Sequence, residues 1–211
     1  MKLLFVIIAS LFLFAGCKNR SAGKDKEENI ANPDSTKVIE HNKDSVLLQL
    51  THTILILIHN NDYKSLAAYI HPVSGLRFSP NALIDTGQDV IMQREKLIEE
   101  AGNNKQSKIK WGIFDGSGEP IRMTLNEYMQ TFVYDVDFVN PEIIKVNKMI
   151  GKGNSLNNLL TVYKDCDFTE SHFSGFEKKY EGMDWRSLRL VYKNTEGKYY
   201  LVGIIHDQWT I

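Results

Sequence analysis

Only two cysteines, Cys17 and Cys166, occur in 211 residues, which excludes a disulfide framework and leaves at most one possible bridge. Six histidines are spread along the chain without a His-x-x-x-His spacing, and no Cys-x-x-Cys pair occurs, so no local metal-ligand motif is present. Charge of either sign is not in excess: 25 basic residues stand against 26 acidic ones. That balance argues against nucleic acid as a partner, and no polybasic stripe suggests lipid headgroups. Ser79 and Ser117 lack the strand–turn–helix glycine pattern of a hydrolase nucleophile. Asp115-Gly116-Ser117-Gly118 has neither the length nor the lysine of a phosphate loop and reads as a hairpin turn. Neither a cofactor nor a metal is expected.

One long apolar run is present, at the start. Leu3–Phe14 is apolar or small throughout, preceded by Lys2 and followed by Ala15-Gly16. These are the three parts of an export signal, and the run falls short of the roughly 20 apolar residues that span a bilayer. A cysteine directly after Phe14-Ala15-Gly16 resembles the lipobox of bacterial lipoproteins. The resemblance implies cleavage before Cys17, a diacylglyceryl group on its thiol and a fatty acyl group such as palmitate on its new amine. Two or three acyl chains hold a protein stably on a membrane where one is marginal. Lys18 after the cysteine favours the outer membrane over the inner one. Residues 18 to about 40 are rich in Lys, Asn, Ser, Asp and Glu, too polar to offset their ordering entropy. The expected organisation is a signal peptide over 1–16, a flexible tether over 17–40 and one domain over 41–211.

Loss of Lys2 with the signal leaves 24 basic against 26 acidic residues in the mature chain. Cys166 sits in Lys-Asp-Cys-Asp, where flanking carboxylates raise a thiol pKa, and it reads as a small structural residue. Leu47, Leu50, Ile54, Leu57 and Ile58 recur at helical spacing behind Asp44-Ser45 as caps, and Asn60-Asn61 ends that helix. Asp62 caps a short second helix that Pro72 bounds. Residues 76–86 read as irregular or short strand, and 88–100 as a charged helix or a flap. Residues 108–114 alternate as a strand, and Thr124-Leu125-Asn126-Glu127 is a capping box. Residues 142–146 and 159–163 read as strands, and 187–193 with 198–205 as a terminal hairpin.

Helices first, then a helix among short strands, then long antiparallel strands predict an α+β fold in which N-terminal helices cover one face of a curved antiparallel sheet. The pattern looks like the cone-shaped NTF2-like fold; the alternative is a cystatin-like sheet with one long helix. Three blocks resemble a family of uncharacterised exported bacterial proteins, many of them lipoproteins. They are Ile70-His71-Pro72 with Gly75–Pro80, Trp111-Gly112 with Asp115–Ile121, and the ending Tyr200-Leu201-Val202-Gly203-Ile204-Ile205-His206-Asp207-Gln208-Trp209-Thr210-Ile211. The resemblance implies an NTF2-like domain and supplies no activity and no catalytic residues.

The candidate pocket residues are His71, Arg77, Asp115, Tyr128, Arg189, His206 and Asp207, polar groups set beside strongly apolar segments. Strict alternation along the last strand puts Tyr200, Val202, Ile204 and His206 on one side, with Arg189 on the neighbouring strand able to join His206. A histidine beside a carboxylate could serve as a general base. The plainer reading gives Arg77 and Arg189 structural ion pairs with Asp115, Asp137 or Asp207, and gives His71 a capping role. Trp111, Trp185, Trp209, Phe78 and Phe132 are assigned mainly to the core. The expectation is a non-enzymatic envelope module that binds a small ligand or an envelope protein. The alternative is an NTF2-like hydrolase or isomerase with a His/Asp pair in the cone pocket.

Overall fold

A computed structural model describes residues 33–103 and 107–210, and over 33–41 the course of the backbone alone. Cys17, the signal segment and the tether up to residue 32 lie outside the described residues. The first helix, α1 (Pro33–His59), begins eleven residues before Asp44, so residues 33–40 are helical rather than tether. Proline at the first helical position has its φ already set for the helix and loses no needed hydrogen bond, which makes Pro33 the earlier start. Of the expected stripe Leu47, Ile54 and Ile58 are buried, together with Leu55, while Leu50 and Leu57 are half-buried. Asn61, at φ 55°, ends α1, and the Asp62 carboxylate accepts from the Ser65 amide to cap α2 (Tyr63–Ala67). No helix among the described residues is long and apolar enough to cross a membrane.

Then follow β1 (Leu76–Ser79), β2 (Val90–Met92), α3 (Arg94–Gly102) and a separate hairpin of β3 (Ile109–Ile113) and β4 (Pro120–Met123). The expected capping box opens α4 (Leu125–Tyr128): the Glu127 carboxylate accepts from the Thr124 amide at 2.7 Å, and the Glu127 amide donates to the Thr124 hydroxyl at 3.2 Å. A π-helical turn, Met129–Val133, continues it. Next come β5 (Ile143–Val146), α5 (Leu159–Val162), β6 (Asp167–Phe173), β7 (Arg186–Thr195) and β8 (Lys198–Gln208). Residues 159–162 are thus a helical turn, not a strand: Asn157 and Asn158 accept backbone amides at its start.

Six strands form one sheet in the order β2-β1-β8-β7-β6-β5. It is mixed rather than wholly antiparallel, because β1 docks parallel to the final strand, Phe78 opposite Ile204. The α+β class holds. Helices α1 and α4 pack on one face, where Trp111 stacks on Tyr128 at 4.0 Å and meets Phe78 edge-on at 5.4 Å. Phe132 joins this group, and all four rings are buried, so the space between helices and sheet is filled by the chain's own aromatics. Trp185 is buried, whereas Trp209 is 37% exposed and lies outside the core. On the same face Thr51 of α1 bonds both Thr169 of β6 and Tyr192 of β7.

A β-bulge overturns the predicted alternation in β8. Val191 pairs with Gly203 and Tyr192 with Leu201, leaving Val202 as an extra residue. Leu201 and Ile204 therefore face the helices with His206, while Val202 and Ile205 face the opposite layer. That layer is made of the segments 80–89 and 147–166.

Replacing Trp111 with alanine is expected to cost about 3–5 kcal/mol, because it removes a fully buried indole and its N–H bond to the Met123 carbonyl. Urea unfolding with an unchanged slope would register this as a lower midpoint.

Candidate functional site

The sheet face turned away from α1 carries an unusual density of polar side chains. Pairing of β6 with β7 sets Glu170 opposite Arg189 and His172 opposite Ser187, and pairing of β7 with β8 sets Ser187 opposite Asp207. These five residues occupy neighbouring positions on one face, and all are buried. The Glu170 carboxylate accepts five hydrogen bonds: from the Ile150 and Gly151 amides, the Ser187 hydroxyl, and Arg189 through Nε and Nη2. Arg189 Nη2 also reaches Asp207 Oδ2 at 2.8 Å. Because Ser187 donates to Glu170 at 2.6 Å, its oxygen accepts from His172 Nδ1 at 2.8 Å, which places the ring proton on Nδ1.

One guanidinium stands between two carboxylates, and burial pushes the Asp207 carboxyl above its ordinary range despite Arg189. Burial likewise lowers the His172 pKa and favours the neutral ring. The covering segment must come close. A Cβ on Gly151 would lie 2.6 Å from the Ser187 hydroxyl and 2.7 Å from the Trp185 ring.

The seven residues nominated from sequence do not converge. Arg189 and Asp207 meet, but His206 points to the opposite face: it is Asp207's neighbour in the strand, and the bulge sets it opposite Leu188, away from the face of Arg189. It sits against Phe132, with Nε2 at 3.4 Å from Asp135 Oδ2, which also accepts from Arg186 Nε at 2.8 Å. Burial opposes ionisation of Asp135, yet His206 and Arg186 hold its carboxyl below the usual range. His71 caps a turn: its Nδ1 accepts from the Val73 and Ser74 amides, so Nε2–H donates to Thr195 at 3.1 Å. Tyr128 is a core residue, stacked on Trp111. Asp115 accepts from Ser155 and from Thr210 at 2.9 Å, tying the β3–β4 turn to the 151–158 segment and the C-terminal end. Asp137 accepts from Tyr134 and Asn140 rather than from an arginine.

Arg77 lies apart from these networks. It lines an open cleft of about 350 Å³ together with Tyr163, Lys164, Cys166 and Lys193. Cys166 is half-buried, and burial, aided by Asp165 and Asp167, pushes its thiol up, in the expected direction. Beyond Arg77, Ser79 donates to Asp89 Oδ2 at 2.5 Å, and the Asp85 amide donates to the same oxygen. Burial raises Asp89 to about 6, against the opposing pull of Ser79 and Arg77. A second cleft of about 410 Å³ has Asp207 in its lining, among Lys152, Asn157 and Thr161. Among the described residues no group of three or more His, Cys, Asp or Glu could hold a metal ion.

Sequence reasoning missed Glu170, Ser187 and Asp135. The first belongs to β6, whose residues Phe168-Thr169-Glu170-Ser171-His172 give no apolar alternation; the available signal was the charge complementarity of Glu170 and Arg189 in adjacent strands. Compared with family models, curated proteins and solved structures, the chain matches none of them.

Arg189→Met is expected to destabilise the fold by about 3–5 kcal/mol, since it leaves two carboxylates buried without their counter-charge. Adding Asp207→Asn should recover part of that loss, giving a non-additive double-mutant cycle in urea. Asp89 makes a second, pH-dependent test. Its folded pKa exceeds the unfolded value, so its contribution to stability is full below the unfolded pKa and is lost as pH rises towards and through about 6. Asp89→Asn should therefore gain on the parent chain as melts are moved from pH 4 to pH 7; a difference that stays flat would contradict this.

Proposed function

We propose that this chain is an exported lipoprotein, cut before Cys17 and held by its lipid on the bacterial envelope, with the outer membrane favoured. Its domain serves there as a non-enzymatic module that binds a small ligand or an envelope protein. The anchor rests on Phe14-Ala15-Gly16-Cys17 and the export signal before it. Binding is favoured over catalysis by one observation: in the densest polar cluster Glu170 takes five donors and Arg189 spends Nε and Nη2 on two carboxylates, only its Nη1 having no partner among the described residues, while the cleft beside Arg77 stays open and cationic.

An NTF2-like relationship, and with it membership of the exported family that the three sequence blocks resemble, is part of the same proposal. It draws support from α1 and α4 sharing one face of a six-stranded sheet. In this reading the cone interior is packed with aromatics and contact with ligands moves to the opposite face of the sheet. The His/Asp enzyme has less support: His206 does meet Asp135, but its ring is buried against Phe132 and the same carboxylate oxygen is taken by Arg186.

Cys17→Ser should move the protein from the membrane pellet to the soluble fraction. Mass spectrometry of the mature parent should find a diacylated cysteine at its N-terminus. An unmodified Cys17, or a variant that still pellets with membranes, would overturn the anchor.

A further inference from the structure

We propose that the cleft beside Arg77 binds a small organic anion, a carboxylate carried on a short apolar body. This rests on reading the domain as a binding module and names the ligand class for one of its clefts.

Arg77 is fixed by two strand pairings, opposite Ile91 of β2 and opposite Gly203 of β8. Gly203 is what admits Tyr163: a Cβ there would lie 2.8 Å from the tyrosine hydroxyl. The Tyr163 hydroxyl, bonded to the Val202 carbonyl at 3.3 Å, is thereby held beside the guanidinium. Arg77 Nη1 is buried and has no hydrogen-bond partner among the described residues. Nη1 itself is shielded from the cleft, so it is the charge and the lining part of the guanidinium that an acceptor there would meet.

Charge and shape then narrow the class. Arg77, Lys164 and Lys193 bring three cations to the lining, against one carboxylate, Asp165. Ile91, Val162 and Val202 supply apolar walls, with Ile91 47% exposed. A planar carboxylate matches the fork of a guanidinium, and its apolar body would cover those walls. Inorganic phosphate would leave the walls wet and bring its higher charge against Asp165. The volume, about 350 Å³, is that of a small-molecule site.

Cys166 lines the same cleft and provides a built-in reporter. In the full chain, in isolated membranes, the rate at which iodoacetamide labels Cys166 is followed by mass spectrometry of its peptide. Three probes are compared: hexanoate, hexanol and inorganic phosphate. Hexanoate should slow labelling saturably, with hexanol needing about tenfold more and Arg77→Gln raising the required hexanoate by about tenfold. Lys193→Gln, at an exposed position, should raise it by about threefold and keeps the test open if the Arg77 variant does not fold. Equal protection by hexanol, or unchanged hexanoate protection in both variants, overturns the anion assignment and leaves the binding-module reading in place. Phosphate protecting better than hexanoate overturns the carboxylate on an apolar body. Protection by none of the three overturns both the assignment and the reading of this cleft as a ligand site.

Discussion

The Glu170–Arg189 pair sits at the centre of a sheet that is buried on both faces, and much of the architecture follows from it. Two ionised groups taken out of water incur a desolvation penalty that their attraction offsets only when the remaining donors and acceptors are met. Here all but Arg189 Nη1, which has no partner among the described residues, are met, and largely from outside the pair. Ser187 comes from β7, while the Ile150 and Gly151 amides come from a segment with little regular structure. The pair thereby holds the 147–158 segment against the sheet. It also pins register, since a slip of one residue would carry Arg189 into the layer occupied by Leu188 and Leu190.

The two layers flanking the sheet are built on different principles. Towards the helices, cohesion comes from apolar area and ring contacts around Trp111, Tyr128 and Phe78. On the other face, a smaller apolar cluster around Phe168, Val191 and Ile205 is bordered by charge and backbone hydrogen bonding. Geometry that depends on hydrogen bonds is specific in direction but covers less area, and the clefts open on that side. Histidines are consumed in this framework: His71 and His172 each have a tautomer set by their neighbours.

How far this was legible in the sequence follows from where the signal is local. The capping box at Thr124, the stripe of α1 and the terminal hairpin depend on residues close in the chain, and all three are present, although α1 starts earlier than read and a bulge breaks the alternation of β8. Strand β6 was invisible, because its buried side chains include Thr169, Glu170 and His172, satisfied by partners distant in the chain on α1, β7 and the 147–158 segment. Residues 159–162 have strand-like composition, yet the Asn157 side chain and the Asn158 carbonyl accept the amides that start a helical turn. The parallel docking of β1 on β8 joins segments more than 100 residues apart, and no local pattern encodes it. Of the candidate residues, Arg189 and Asp207 do meet, but their shared partner Glu170 was hidden with β6.

The bulge at Val202 acts on the strand as a change of parity. Every side chain beyond it lies on the face opposite to the one that counting from Leu201 would assign. The extra residue absorbs its own effect: a chain shortened by one at this point could close into regular pleating with Ile204, Ile205, His206 and Asp207 all keeping their faces. A residue lost further along has no such slack, because His206 would then turn towards Arg189 and Asp207 towards Phe132. Tolerance to a change in length within β8 is therefore concentrated at a single position, next to the cleft that holds Arg77.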